Sequence, residues 1–106
     1  MSLERVIKAL IGLGLSRVDA EVYVYLAKKG PQKPVDLATA LNYNKKKIYS
    51  SLKNLRTKEL VSKDRTIFSA LPFEEALDLL IKMEKERAQA MQESREELLT
   101  TWETKD

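Results

Sequence analysis

The sequence contains no cysteine and no histidine. Without cysteine there are neither disulfides nor thiolate metal sites. Without histidine the commonest metal ligand is missing, and the commonest general base with it. No nucleophile–base pair and no phosphate-cradling glycine loop stands out, so an enzyme is the least supported class, and no cofactor or metal is expected. No run approaches the ~18 apolar residues of a membrane span, and no signal-peptide pattern opens the chain. A cytoplasmic protein with no membrane partner is the expectation. Glycine and proline are scarce, three of each among 106 residues. The 43% apolar content supports one small compact core.

Acidic charge is scarce in the first two-thirds of the chain. Residues 1–72 hold 14 Lys/Arg against 6 Asp/Glu, a net +8, whereas residues 73–106 hold 5 against 10, a net −5. The net charge of +3 therefore hides a split. One part is built to meet a polyanion and the other is not.

The basic excess coincides with residues 37–61, LATALNYNKKKIYSSLKNLRTKELV. Ala38, Asn42 and Ile48 sit at the spacing of a helix-turn-helix. A small Ala38 admits the second helix, Asn42 suits the left-handed turn, and Ile48 anchors the second helix in the core. At about 100° per residue, Ile48, Ser51, Leu52 and Leu55 share the core side. Lys46, Ser50, Lys53 and Thr57 point the other way, with Tyr49 at the flank. Such a helix lies in the DNA major groove. Lys46, Tyr49, Ser50 and Lys53 are expected in or beside the groove, and Lys45 and Lys47 at phosphates. No Arg, Asn or Gln holds the centre of this face; Asn54 and Arg56 lie at its flanks. The strong bidentate base contacts are thus absent there, and sequence specificity is expected to be modest.

The rest of the chain reads as three further helices and a hairpin. Ser2 is placed to cap a first helix with the face Val6, Ile7, Leu10 and Ile11, ended by Gly12 and Gly14. Ser16 and Asp19 resemble a capping box. The second helix stops at Gly30-Pro31. Its faces, Val18/Val22/Tyr25/Leu26 and Ala20/Val24/Ala27, predict cover on both sides. Pro34 opens the third helix, which ends near Leu41. After the fourth helix come β-prone runs at residues 60–63 and 66–70, joined by Asp64-Arg65. A hairpin directly after a recognition helix is the wing of a winged helix, with Lys63 and Arg65 expected to reach the DNA.

A fifth helix is expected from Phe73 to about Lys105, without Gly or Pro and roughly 50 Å long. A ~100-residue domain has a radius of gyration of only about 13 Å, so most of this helix must project. Leu77, Glu84, Met91 and Leu98 form one heptad track, and Ile81, Ala88, Arg95 and Trp102 another, as in a coiled-coil seam. In a parallel dimer Glu84 and Arg95 would each face their own copy. Inverting one helix about a point between Ala88 and Met91 pairs Leu77 with Trp102, Ile81 with Leu98, and Glu84 with Arg95. An antiparallel homodimer is the expectation.

Six short motifs stand out between Leu10 and Leu77: Leu13-Gly14-Leu15-Ser16, Asp19-Ala20-Glu21-Val22-Tyr23, Gly30-Pro31, Ile48-Tyr49, Phe68-Ser69-Ala70-Leu71-Pro72 and Glu75-Ala76-Leu77. In these the segment resembles the winged-helix domain of the TrmB family of archaeal transcription regulators. It implies a mainly helical fold with a small β-hairpin wing, and double-stranded DNA as partner. Larger members carry a sugar-binding domain after the long helix. The sequence stops there, so sugar sensing is not implied and the effector is unknown. Asn44 stands where a basic residue or proline is frequent, and the wing turn lacks the Gly-Arg-Pro-like sequence.

The expected organisation is a winged helix-turn-helix over residues 1–72 and a dimerisation helix over 73–106. The expected function is a homodimeric transcription regulator. An architectural DNA-binding protein of low specificity and a winged-helix protein adaptor are the alternatives.

Overall fold

The computed structural model describes residues 3–104; the Ser2 cap lies outside them. Six helices and a two-stranded hairpin follow one another: α1 (Leu3–Gly12), α2 (Arg17–Lys29), α3 (Pro34–Leu41), α4 (Lys45–Thr57), β1 (Val61–Asp64), β2 (Ile67–Ala70), α5 (Phe73–Glu93) and α6 (Arg95–Thr104).

The helix ends follow from local chemistry. Ser16 Oγ accepts the Asp19 N–H at 3.1 Å, and Asn44 Oδ1 accepts the Lys47 N–H at 2.8 Å; each removes one orphan donor of a first turn. Asn42 closes α3 in the left-handed conformation, φ 59°, as the helix-turn-helix spacing requires. At the end of α4, Glu59 takes φ 64°. The Leu60 N–H reaches the Leu55 carbonyl and the Glu59 N–H the Arg56 carbonyl, both at 2.9 Å. This is a Schellman ending built on glutamate instead of glycine.

Helix α2 is the hub, packing on α1, α3, α4 and β2. Ala20, Val22, Tyr23, Val24 and Leu26 are all buried, in keeping with an apolar surface on both sides. Ala27, assigned to that surface by periodicity, is exposed instead, because none of the described residues covers the last turn of α2 there. The Tyr23 hydroxyl donates to the Leu71 carbonyl at 2.5 Å, tying α2 to the exit of the wing. Burial pushes this phenol up to about 12, with the Glu75 carboxylate adding to the effect.

The hairpin is antiparallel, with Val61 opposite Ala70 and Asp64 opposite Ile67. The turn is therefore Arg65-Thr66, one residue later than the sequence suggested. Phe68 is buried and Lys63 is exposed opposite it. That inward anchor sets the register, since a one-residue slip would turn Phe68 outward. Gln32 adds a bridge to the other edge of β2 through two backbone bonds with Phe68, 3.0 and 2.8 Å long. The wing is thereby stitched to the α2–α3 connection.

The expected single C-terminal helix is broken. At Ser94 ψ relaxes to −2°, and its N–H is shared among the carbonyls of the preceding turn. The ladder resumes with the Leu98 N–H on the Ser94 carbonyl at 2.9 Å. Serine is a weaker helix former than its neighbours and tolerates this local step. Ala76 and Leu80 of α5 are buried against the core. Farther along, a Cβ added at Gly14 (φ 107°) would lie 2.9 Å from an Arg87 nitrogen, so the glycine lets the α1–α2 turn approach α5. Beyond that point the helix projects, giving a longest dimension of 52 Å and a radius of gyration of 17.0 Å.

Candidate nucleic-acid interface

The recognition helix is held by one face and free on the other. Ile48, Ser51, Leu52 and Leu55 are buried, the four positions assigned to the core by periodicity. Lys45, Lys46, Lys47, Tyr49, Ser50 and Lys53 are exposed, as are Lys63 and Arg65 of the wing. Tyr49 is 55% exposed, so it does not fill the core edge. Three lysines at the N-terminus of α4 oppose the helix dipole, at a few tenths of a kcal/mol each; phosphate contact would offset this.

Two of the cations rest on aromatic rings. Lys47 Nζ lies 5.8 Å from the Tyr43 ring centroid and Lys63 Nζ 5.7 Å from that of Phe68. Both distances suit a cation–π contact, which restrains long side chains before any ligand arrives. Tyr43 is itself anchored: its hydroxyl donates to Glu21. That bond, with burial assisting, keeps the phenol protonated above the ordinary tyrosine range. Glu21 pairs with Arg17 at 3.3 Å and Arg17 with Glu4 at 2.7 Å. A polar relay thus runs from α1 through α2 to the first turn of α4. No single motif marks it, because its members are scattered over 40 residues.

Asp19 has a second role that the capping spacing does not reveal. Its backbone forms half of the expected capping box, but its carboxylate does not return to Ser16. It accepts the Ser51 hydroxyl at 2.6 Å, with both side chains buried. A charged hydrogen bond across the α2–α4 contact fixes how the recognition helix sits on the hub. Ser51→Ala should leave that carboxylate buried with one partner fewer and cost about 1–3 kcal/mol. A urea melt reads this as a lower midpoint with an unchanged slope.

Arg65 occupies the first position of the wing turn with φ 59°. Thr66 does not share the positive φ, a pattern closer to a type II′ than a type I′ turn. Arginine pays a steric cost there that glycine does not. Arg65→Gly is expected to raise stability by up to about 1 kcal/mol while weakening DNA binding. Opposite signs in thermal and binding assays would separate the charge of the wing tip from its fold.

The dimerisation candidates divide by location. Leu77 and Glu84 are half-buried on the chain's own domain. Ile81, Ala88, Met91, Arg95, Leu98 and Trp102 are exposed, Trp102 by 77%. Within the chain Glu84 pairs with Arg87 and Arg95 with Glu96, so each charge of the expected seam pair has a local partner. Among the described residues no cluster could hold a metal ion, and no helix is long and apolar enough to cross a membrane.

A helix-turn-helix packed on a central helix and followed by a hairpin is a winged helix-turn-helix domain. Residues 10–74 match the family described as sugar-specific transcriptional regulator TrmB, and the chain belongs to this family. Among solved structures it is similar to TrmBL2, an archaeal chromatin protein described as showing a novel mode of DNA binding. There the TM-score is 0.76 at 24% identity, over 95% of this chain and 42% of that one. The chain thus spans less than half the length of that relative. It is also similar to a possible transcriptional regulator from Methanosarcina mazei Go1, with a TM-score of 0.64 at 18% identity over 92% of this chain and 88% of that one. No curated protein matches the chain.

Proposed function

We propose that this protein is a homodimeric, DNA-binding transcription regulator that lays α4 in the major groove and its wing along the adjacent backbone. One observation carries the reading. The buried quartet Ile48, Ser51, Leu52 and Leu55 locks α4 by one face, and the free face offers Lys46, Ser50 and Lys53. Lys45 and Lys47 flank it at phosphate positions, and Lys63 and Arg65 extend the basic surface. The organisation is a DNA-reading unit over residues 1–72 and, within residues 73–106, a dimerising antiparallel arm made of α5 and α6, acting in the cytoplasm without a cofactor.

A second reading is favoured by a specific observation. No Arg, Asn or Gln stands at the centre of the free face of α4, and lysines serve phosphates as readily as guanines. Its relative TrmBL2 is described as a chromatin protein. An architectural role with little sequence preference follows from the same surface. Salt titrations on genomic and random duplexes separate the two. Affinities differing by a factor on the order of 10³ or more support a regulator; equal affinities support the architectural role. No binding at low salt contradicts both and leaves a protein adaptor. In the same titration Lys45→Ala should weaken all duplexes alike and reduce the salt slope by about 1.

A further inference from the structure

Between α1, the last turns of α2 and the exit of the wing lies an apolar groove of about 580 Å³. Leu3, Val6, Ala27, Leu71 and Phe73 are among its walls, and Lys28 stands at it. Leu3 and Phe73 are 47% and 42% exposed. The groove lies apart from the lysine face of α4. We infer that it receives the end of α6 from a second copy of this chain, with the partner's Trp102 as the anchor. The inference rests on the homodimer proposed above and names where its arms end.

Two observations and the proposed seam point to this occupant. First, α6 buries nothing in its own chain, yet it exposes Leu98, Leu99 and Trp102. Exposed aromatic and leucine side chains on a projecting helix mark a contact surface, and tryptophan is enriched among interface hot spots. Second, the charges are complementary. Helix α6 carries Glu96, Glu97 and Glu103 against a single Arg95, whereas α2 ends beside the groove in Lys28 and Lys29. Acidic residues on a docking helix meeting lysines on the receiving rim steer and register the contact. Third, the antiparallel arrangement that pairs Ile81 with Leu98 brings Trp102 beside Leu77. That is one turn from Phe73, where α5 forms a wall of the groove. A helix laid along the seam therefore delivers its tip to the groove mouth, and two-fold symmetry does so twice.

The absence of cysteine and the single tryptophan make the test clean. Full-length Ala27→Cys protein mixed with Thr101→Cys protein should give a disulfide-linked heterodimer under mild oxidation, and neither alone should do so efficiently. Mixing separate chains excludes a link within one chain. Ala88→Cys mixed with Met91→Cys reports on the seam independently. In parallel, Trp102 emission in the wild type should lie to the blue of free tryptophan and move to the red in Ala27→Glu. Seam linkage without the 27–101 linkage, or emission at the free-tryptophan wavelength, overturns the groove contact while the dimer stands. A monomer in sedimentation overturns both. The 27–101 linkage without seam linkage keeps the groove contact and discards the antiparallel seam.

Discussion

Lys46→Glu combined with Lys53→Glu is expected to abolish most DNA binding while leaving the fold intact. Both side chains are exposed on the face of α4 opposite the buried quartet. Neither has an ion-pair partner among the described residues, so their loss strands no buried charge. If each contacts a base edge or a phosphate, losing both costs a few kcal/mol, and the added negative charge repels the backbone. The expected loss is on the order of a hundredfold or more at low salt, with thermal unfolding within a few degrees of wild type. Fluorescence anisotropy on labelled duplexes checks the first quantity and circular dichroism the second. Undiminished affinity would move the interface away from α4.

Ile48→Ala is expected to do the reverse. Ile48 is fully buried and anchors the recognition helix between α2 and α3. Truncating such a side chain removes apolar transfer energy and leaves a cavity, at about 2–5 kcal/mol. A domain of this size holds only about 5–15 kcal/mol of stability. The midpoint should fall by roughly 10 °C or more. DNA affinity, measured below the new midpoint, should change much less than in the lysine variant, because the outward face is untouched. The two variants together separate what holds α4 from what α4 presents.

The helices were legible because their signals are local. The Ser16 cap, Pro34, and the 3.6-residue repeat of apolar positions locate α1 to α4. Asn42 announced its left-handed turn, since asparagine accepts that conformation readily. Glu59 and Arg65 take the same conformation without announcing it; neither residue type prefers it, and tertiary packing imposes it. Hence the wing turn falls one residue later than expected. The Gln32–Phe68 bridge and the Asp19–Ser51 bond join residues 36 and 32 apart in sequence. No periodicity reports such pairs. The break at Ser94 carries no glycine or proline to mark it. Residues of the candidate site were legible in kind, as a lysine-rich free face. What was not legible is their support: the rings of Tyr43 and Phe68 beneath Lys47 and Lys63, and the carboxylates of Glu21 and Asp19 behind them. Heptad counting also set Leu77 and Glu84 in the seam, with no sign that each is half-buried on the chain itself. In the structure the first turns of α5 belong to the core through Ala76 and Leu80, while Phe73 and Ile81 beside them stay exposed.

The docking claim is tested most directly by mapping backbone amide shifts on adding a short duplex to the isotopically labelled protein. The largest changes are expected on residues 44–54 and on the wing turn around Arg65, with α1 and the groove-facing end of α2 little affected. Changes concentrated on α1, α5 or α6, with α4 silent, would contradict that claim.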